Sequence, residues 1–381
     1  MIFWSKWLDY RLQQLKSHVS SYLKDGQQLL DDLKEINLPP NTRLFTADTV
    51  SMYNNIDTEH AIDVISWWLE SISTELGPTF PLEAVKAAMK IIMRNNIFEW
   101  GDLYFLQLLG TAMGTSAAVM WATIYYAYHE EHTILPRYKP YLCYYKRFID
   151  DIFGIWTLQD GDDDTAWTDF CADLNRFGIL TWEIQEPSHQ VDFLDLTISI
   201  VGPRLETKTF QKALNLYLYL PPTSAHPTGC IKGTIYGLIN RYYHQNTHRR
   251  DYIYYAASLY KRLLQRGWGG TYIKPIILQA CEKMERRSGP DDHPNTAAAL
   301  GNSTVESSAD RLFIHLQYHP DDIPRRELQQ LYDKHCAQVF QREIGLGRPT
   351  IAYSRPRNIG EYVTQAKYHQ APGREASVIM G

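Results

Sequence analysis

Tyr144-Tyr145-Lys146-Arg147-Phe148-Ile149-Asp150-Asp151-Ile152-Phe153-Gly154-Ile155-Trp156 sets two apolar, β-prone runs around an adjacent pair of carboxylates. The pattern predicts a β-hairpin with acids at its tip. Two like charges at a turn repel each other, so a fold gains nothing by placing them there. A divalent cation between them reverses that balance. An ordinary capped turn would carry the same residues, and an apolar-X-Asp-Asp match is weak alone.

A second acid gives the hairpin a context. Leu44-Phe45-Thr46-Ala47-Asp48-Thr49-Val50-Ser51-Met52-Tyr53 predicts a buried strand with Asp48 at its end. A buried, lone carboxylate costs several kcal/mol, so Asp48 needs a partner. A strand carrying Asp48 beside a tip carrying Asp150 and Asp151 predicts three convergent carboxylates, a donor set for two Mg²⁺ ions, with Mn²⁺ as a substitute. Such a pair suits nucleotidyl transfer, with Asp48 bridging both ions, Asp150 completing the pair and Asp151 as a weaker or outer ligand. Tyr53 follows where strand turns to helix. It reads equally as a core tyrosine or as a ring stacked under an incoming sugar, excluding a 2′-hydroxyl.

Composition bounds the rest. The chain has 381 residues, room for two or three domains, and 44% apolar content supports a core. Its net charge of −5 hides a split. Arg204–Arg266 holds ten Lys or Arg against Glu206 and Asp251, and Asp160–Asp195 holds ten acids against Arg176. That asymmetry suits one anionic partner surface. Cys143, Cys171, Cys230, Cys281 and Cys336 lack CxxC spacing. They suggest neither a disulfide framework nor a zinc site, and a reducing compartment. No apolar leader opens the chain, so an intracellular protein, nuclear or cytoplasmic and not secreted, is expected. Leu103–Tyr128 carries no charge and is long enough to span a bilayer. Its polar residues and the Gly110-Thr111 turn favour instead a strand, a glycine turn and a buried helix.

Elsewhere, periodicity predicts surface helices over 5–36, a strand over Arg43–Ala47, helices over Asp57–Ile72 and Leu82–Arg94, and a hairpin over Ile97–Leu106 broken at Gly101-Asp102. Met113–Glu130 reads as helix, Asp160–Asp164 as an exposed acidic loop, Ala166–Phe177 as helix and Leu180–Ile184 as strand. Val191–Ile200 and Leu205–Phe210 read as one hairpin. Pro227–Met284 is helical, basic and Tyr-rich. Residues 285–310 read as a flexible linker, with a last helix over Arg325–Arg342 and an irregular tail.

The run Thr46-Ala47-Asp48-Thr49-Val50-Ser51-Met52-Tyr53-Asn54-Asn55-Ile56 resembles motif A of Penelope-like retroelement reverse transcriptases. Gly110-Thr111-Ala112-Met113-Gly114-Thr115 resembles their motif B, Phe148-Ile149-Asp150-Asp151 their motif C, and Val191-Asp192-Phe193-Leu194-Asp195 the hairpin that follows. The resemblance implies an α/β (α+β) right-hand polymerase with an antiparallel palm sheet, packed helices, truncated fingers and a helical thumb. The implied domains are a helical fingers remnant (1–42), the palm (43–212), a basic thumb (213–285), a linker (286–310) and a tail segment (311–381). It implies catalytic, metal-binding Asp48, Asp150 and Asp151, and nucleotide contacts by Thr49, Tyr53, Gln107 and Gly114. The glycines there would let backbone approach template and nucleotide. Lys232, Arg241, Arg249, Arg250, Lys261 and Arg262 would bind nucleic acid, although such a run also suits a solvated helical face. The implied partners are an RNA template, a DNA primer and dNTP, without membrane or zinc. The sequence departs from the family at Asp57 and Val119, where proline is common. Only 47 residues precede Asp48, and neither upstream fingers motifs nor a GIY-YIG nuclease is visible. A truncated or catalytically inactive polymerase-derived nucleic-acid binder is the alternative expectation.

Overall fold

The computed structural model describes residues 2–158, 165–224, 226–227, 229–287, 313–319, 322–337 and 350–354. The expected acidic loop Asp160–Asp164 and most of the expected linker lie outside them. Contacts divide the chain into two compact units, one chiefly Met1–Ala213 with Gln245–His248, the other Leu214–His244 with Arg249–Gly373.

The first unit opens with α1 (Ile2–Leu12), a 3-10 turn (Gln13–His18) and α2 (Gly26–Glu35). Leu8, Leu12 and Leu15 are fully buried, so the expected surface helices keep one face in the core. β1 (Thr42–Thr49) leads to α3 (Thr58–Ser71), α4 (Ser73–Leu76) and α5 (Leu82–Arg94). The Asp57 side chain caps α3 by accepting from the Glu59 and His60 amides at 3.0 Å each.

The hairpin β2 (Ile97–Trp100) and β3 (Leu103–Leu106) follows, then α6 (Ala118–His129). α6 begins at Ala118 rather than Met113, because the glycine loop occupies the residues between. It is buried on nearly every side, with Trp121, Tyr125 and Tyr126 at zero exposure, as an all-apolar helix in a core must be. That burial accounts for the lack of charge over residues 117–128. Among the described residues no helix is long and apolar enough to cross a membrane.

After α7 (Leu135–Tyr138), β4 (Leu142–Phe148) and β5 (Asp151–Thr157) form the expected hairpin. α8 (Thr165–Leu174) and β6 (Trp182–Ile184) complete a sheet ordered β4-β5-β1-β6, antiparallel throughout. β1 lies inside it, and its side chains alternate between two cores. Phe45 and Ala47 face a core of α1, α3, α5, α6 and α8, whereas Leu44 faces a core shared with α2 and a second sheet. Gly154 stands opposite Phe45, and a Cβ there would collide with the Phe45 ring. Glycine is what lets that ring cross the neighbouring strand.

The second sheet is β7 (Gln190–Phe193), β8 (Leu196–Val201) and β9 (Arg204–Thr209). The single strand expected over Val191–Ile200 is therefore two. Leu194 takes a left-handed φ of 53° and turns the chain tightly at Leu194-Asp195.

In the second unit, α9 (Gly229–Gln245), α10 (Arg249–Gln265) and α11 (Gly270–Arg287) enclose Ile231, Ile235, Ile239, Leu259, Leu263 and Ile273. The i, i+4 recurrence of isoleucine on α9 fixes its buried face. β10 (Phe313–Gln317) pairs in parallel with β11 (Thr350–Ser354), so the tail expected to be irregular contains a strand. α12 (Arg325–His335) ends earlier than the expected Arg342, and residues 338–349 lie outside the described ones.

Candidate active site

Strand register brings the acids together. Asp48 of β1 stands directly opposite Asp151 of β5 and, on its other side, opposite Glu183 of β6. Directly opposed residues share a face, so Asp151, Asp48 and Glu183 form one row across three strands. Asp48 is in step with buried Leu44 and Thr46. It is itself exposed, which corrects the expectation of a buried acid, and Asp150 and Asp151 are half-buried. The partners it was expected to need are other carboxylates.

The electrostatics follow. Desolvation, then Asp150 and Glu183, push the Asp48 carboxyl above its ordinary range, against the Thr49 amide and Lys212. Burial, then Asp150 and Asp48, push Asp151 up to about 6, with Lys212 opposing. The Tyr53 phenol is raised by burial and then by the Asp150 charge. Lys212, just beyond β9, is the cation this group of acids feels.

The backbone beneath is tightly tied. Thr49 donates both its amide (3.0 Å) and its hydroxyl (3.2 Å) to the Asp150 carbonyl, fastening the end of β1 to the hairpin tip. Thr49 is buried, so it locks the site from beneath. Past Ser51, whose φ is 48°, the chain makes a 3-10 turn through Tyr53. The Gly110 loop docks on that turn. The Thr111 amide donates to the Tyr53 carbonyl at 2.6 Å, the Gly110 amide to the Ile56 carbonyl at 3.0 Å, and the Thr58 hydroxyl to the Gly110 carbonyl at 3.2 Å. Gly110 has a φ of 82°, and a Cβ there would lie 2.5 Å from the Tyr53 carbonyl. Only glycine fits both conditions.

A Cβ at Gly114 would meet nothing, so its glycine answers no packing demand. The Gln107 amide side chain donates to the Leu109 carbonyl at 2.9 Å. Lys232, Arg241, Arg249, Arg250 and Lys261 are exposed on α9 and α10. Arg249 pairs with Glu285 at 2.7 Å. Arg262 is half-buried and stacks 3.5 Å over the Tyr217 ring. Glu183 and Lys212 were not nominated from sequence. Each had been counted within a charge run, and only the strand register and the end of β9 bring them to the site.

The donor set suits a hard divalent cation, because it is all carboxylate and self-repelling. The oxygens are not gathered as they stand: among the described residues, no group of three or more His, Cys, Asp or Glu is placed to hold a metal ion. Opposed Cβ atoms in such a ladder lie about 4.5–5.5 Å apart, so side-chain rotation alone can close Asp48 upon Asp151.

No family model matches the chain, and no curated protein matches it. Among solved structures it is similar to telomerase from Candida albicans in complex with a TWJ fragment of telomeric RNA, at 10% identity and a TM-score of 0.49, over 73% of this chain and 47% of that one. It is similar to apo telomerase from Candida tropicalis truncated from the C-terminal domain, at 13% identity and 0.41, over 54% and 45%. It is also similar to the BmCPV RNA-dependent RNA polymerase at elongation state, at 13% and 0.47, over 63% and 22%. The chain spans less than half the length of each of these structures.

Proposed function

We propose that this chain is an RNA-directed DNA polymerase of the Penelope-like kind, extending a DNA primer on an RNA template. The observation that carries the reading is the pairing of Asp48 with Asp151 at the tip of an acidic hairpin. Burial and then neighbouring carboxylates raise both acids, Asp150 and Glu183 acting on Asp48 and Asp150 and Asp48 acting on Asp151. Asp48, Asp150 and Asp151 would hold Mg²⁺. When bound, such ions activate the primer 3′-hydroxyl and neutralise the triphosphate.

The chain's own residues then have distinct tasks. Thr49 keeps Asp150 in place from beneath. Tyr53, which feels the Asp150 charge and is braced by the Gly110 loop, would stack its ring under the incoming sugar. Lys212 brings positive charge to the acids, where phosphate oxygens would lie. The exposed cations of α9 and α10 would neutralise backbone phosphates. The ungathered carboxylates favour a second reading, a polymerase-derived binder without catalysis.

A primer-extension assay separates the two. Purified protein receives an RNA template, an annealed DNA primer, dNTP and Mg²⁺. The polymerase reading expects extension that Asp150→Ala abolishes. Salt-dependent hybrid binding without any extension selects the binder instead.

A further inference from the structure

The acidic turn has a second unusual feature. Ile149 and Asp150 form the two-residue loop between Phe148 and Asp151, and Ile149 has a φ of 58°. A β-branched residue in the left-handed region is a true outlier, and glycine is the usual occupant of that turn position. Such strain persists only where surrounding structure over-determines it.

The restraint comes from Arg147. It is one of the largest fully buried side chains, and Glu130 beside it is equally buried. The two form a fork of bonds, Nε to Oε1 and Nη2 to Oε2, each 2.8 Å. Glu130 also accepts from Ser21 at 2.6 Å and from Tyr145 at 2.8 Å. Burial works against the Arg147 charge, but Glu130 outweighs it and keeps the guanidinium protonated. One nitrogen is left over: Nη1 donates to the Ile149 carbonyl at 2.6 Å. Both carbonyls of the turn are therefore held, Ile149 by Arg147 and Asp150 by Thr49.

We propose that Arg147, fixed by Glu130, is a positioning residue for the acidic turn: it holds the strained Ile149 backbone so that Asp150 and Asp151 keep their direction. The proposal rests on the polymerase reading for its purpose, although not for its test. Lysine cannot reproduce the fork and the third bond together.

Hydrogen exchange at single amides decides it. The Thr49 amide reports on the tip, because it donates to the Asp150 carbonyl, and the Leu44 amide, bonded to the Ser188 carbonyl, reports on the sheet elsewhere. In Arg147→Lys, exchange at Thr49 is expected to quicken about tenfold while Leu44 holds. Adding Ile149→Gly, which removes the strain, is expected to restore protection. Unchanged exchange at Thr49 overturns the proposal. So does equal loosening of Thr49 and Leu44, which marks a merely structural role, or selective loosening that Ile149→Gly leaves unrepaired. Should Arg147→Lys fail to fold, Arg147→Met with Glu130→Leu removes the pair without stranding a charge, and the same amides are read.

Nucleotide incorporation adds a second readout. Arg147→Lys is expected to lower kcat about 100-fold with KM for dNTP near the parent's, as a displaced reacting group does. A parent protein that incorporates nothing defeats the polymerase reading, while the exchange result still settles the role of Arg147.

Discussion

One hairpin carries two groups of charge treated in opposite ways. At the turn, Asp150 adds to the repulsion on both Asp48 and Asp151, and Lys212 opposes it. Three residues before Asp150, Arg147 is completely enclosed and every bond of its fork is matched by Glu130. Fully buried charge demands pairing because desolvation is costly. Partly solvated charge can be left in conflict, and that conflict fits the cation site proposed for these acids. The comparison teaches that stability is invested behind the turn and withheld at it.

The largest effect should come from breaking the matched side. Glu130→Ala leaves the buried Arg147 charge without its carboxylate, with only the Ile149 and Thr123 carbonyls still accepting from it, and should cost about 3–5 kcal/mol in denaturant unfolding. A cost below about 1 kcal/mol would mean water reaches the pair. Gly110→Ala should cost about 1–3 kcal/mol, since it adds both a left-handed φ and a clash with the Tyr53 carbonyl. It should also lower nucleotide incorporation by moving that ring.

The conflicted side should respond with the opposite sign. Asp48→Asn removes a like charge and should raise stability by about 0.5 kcal/mol while activity disappears. A destabilised variant would show that Asp48 is a structural residue. The last effect is on pH. Asp151 titrates near 6 when folded against an ordinary 3.8. The folded state thus binds a proton that the unfolded chain has released. Its contribution to stability is complete below about pH 4 and disappears as pH rises through 6. Melting curves across that window should show the trend in parent protein and lose it in Asp151→Asn.

Much of this was legible beforehand. The apolar runs around Asp150-Asp151 specify a hairpin, and the acid after Leu44-Phe45-Thr46-Ala47 marks the end of a strand. The charge-free stretch was rightly read as strand, turn and buried helix, because Gly110-Thr111 interrupts it. Register was not legible. Nothing in the local pattern pairs Glu183 with Asp48, since β6 is short and joins β1 over a long sequence separation. The Leu194 turn was missed because a left-handed leucine carries no composition signal. The Arg147–Glu130 pair was equally hidden: no local pattern marks Arg147 as buried, because its burial depends on α6 and on the Ser21 segment covering β4.

The central claim is that Asp48, Asp150 and Asp151 act as one cation site. Calorimetric titration of Mn²⁺ into the parent protein and into Asp48→Asn, Asp150→Asn and Asp151→Asn tests it most directly. Binding that weakens in all three variants, and weakens in the parent as pH falls below 6, is the expected result. Binding that survives all three substitutions, or a parent protein that takes up no ion, would contradict it.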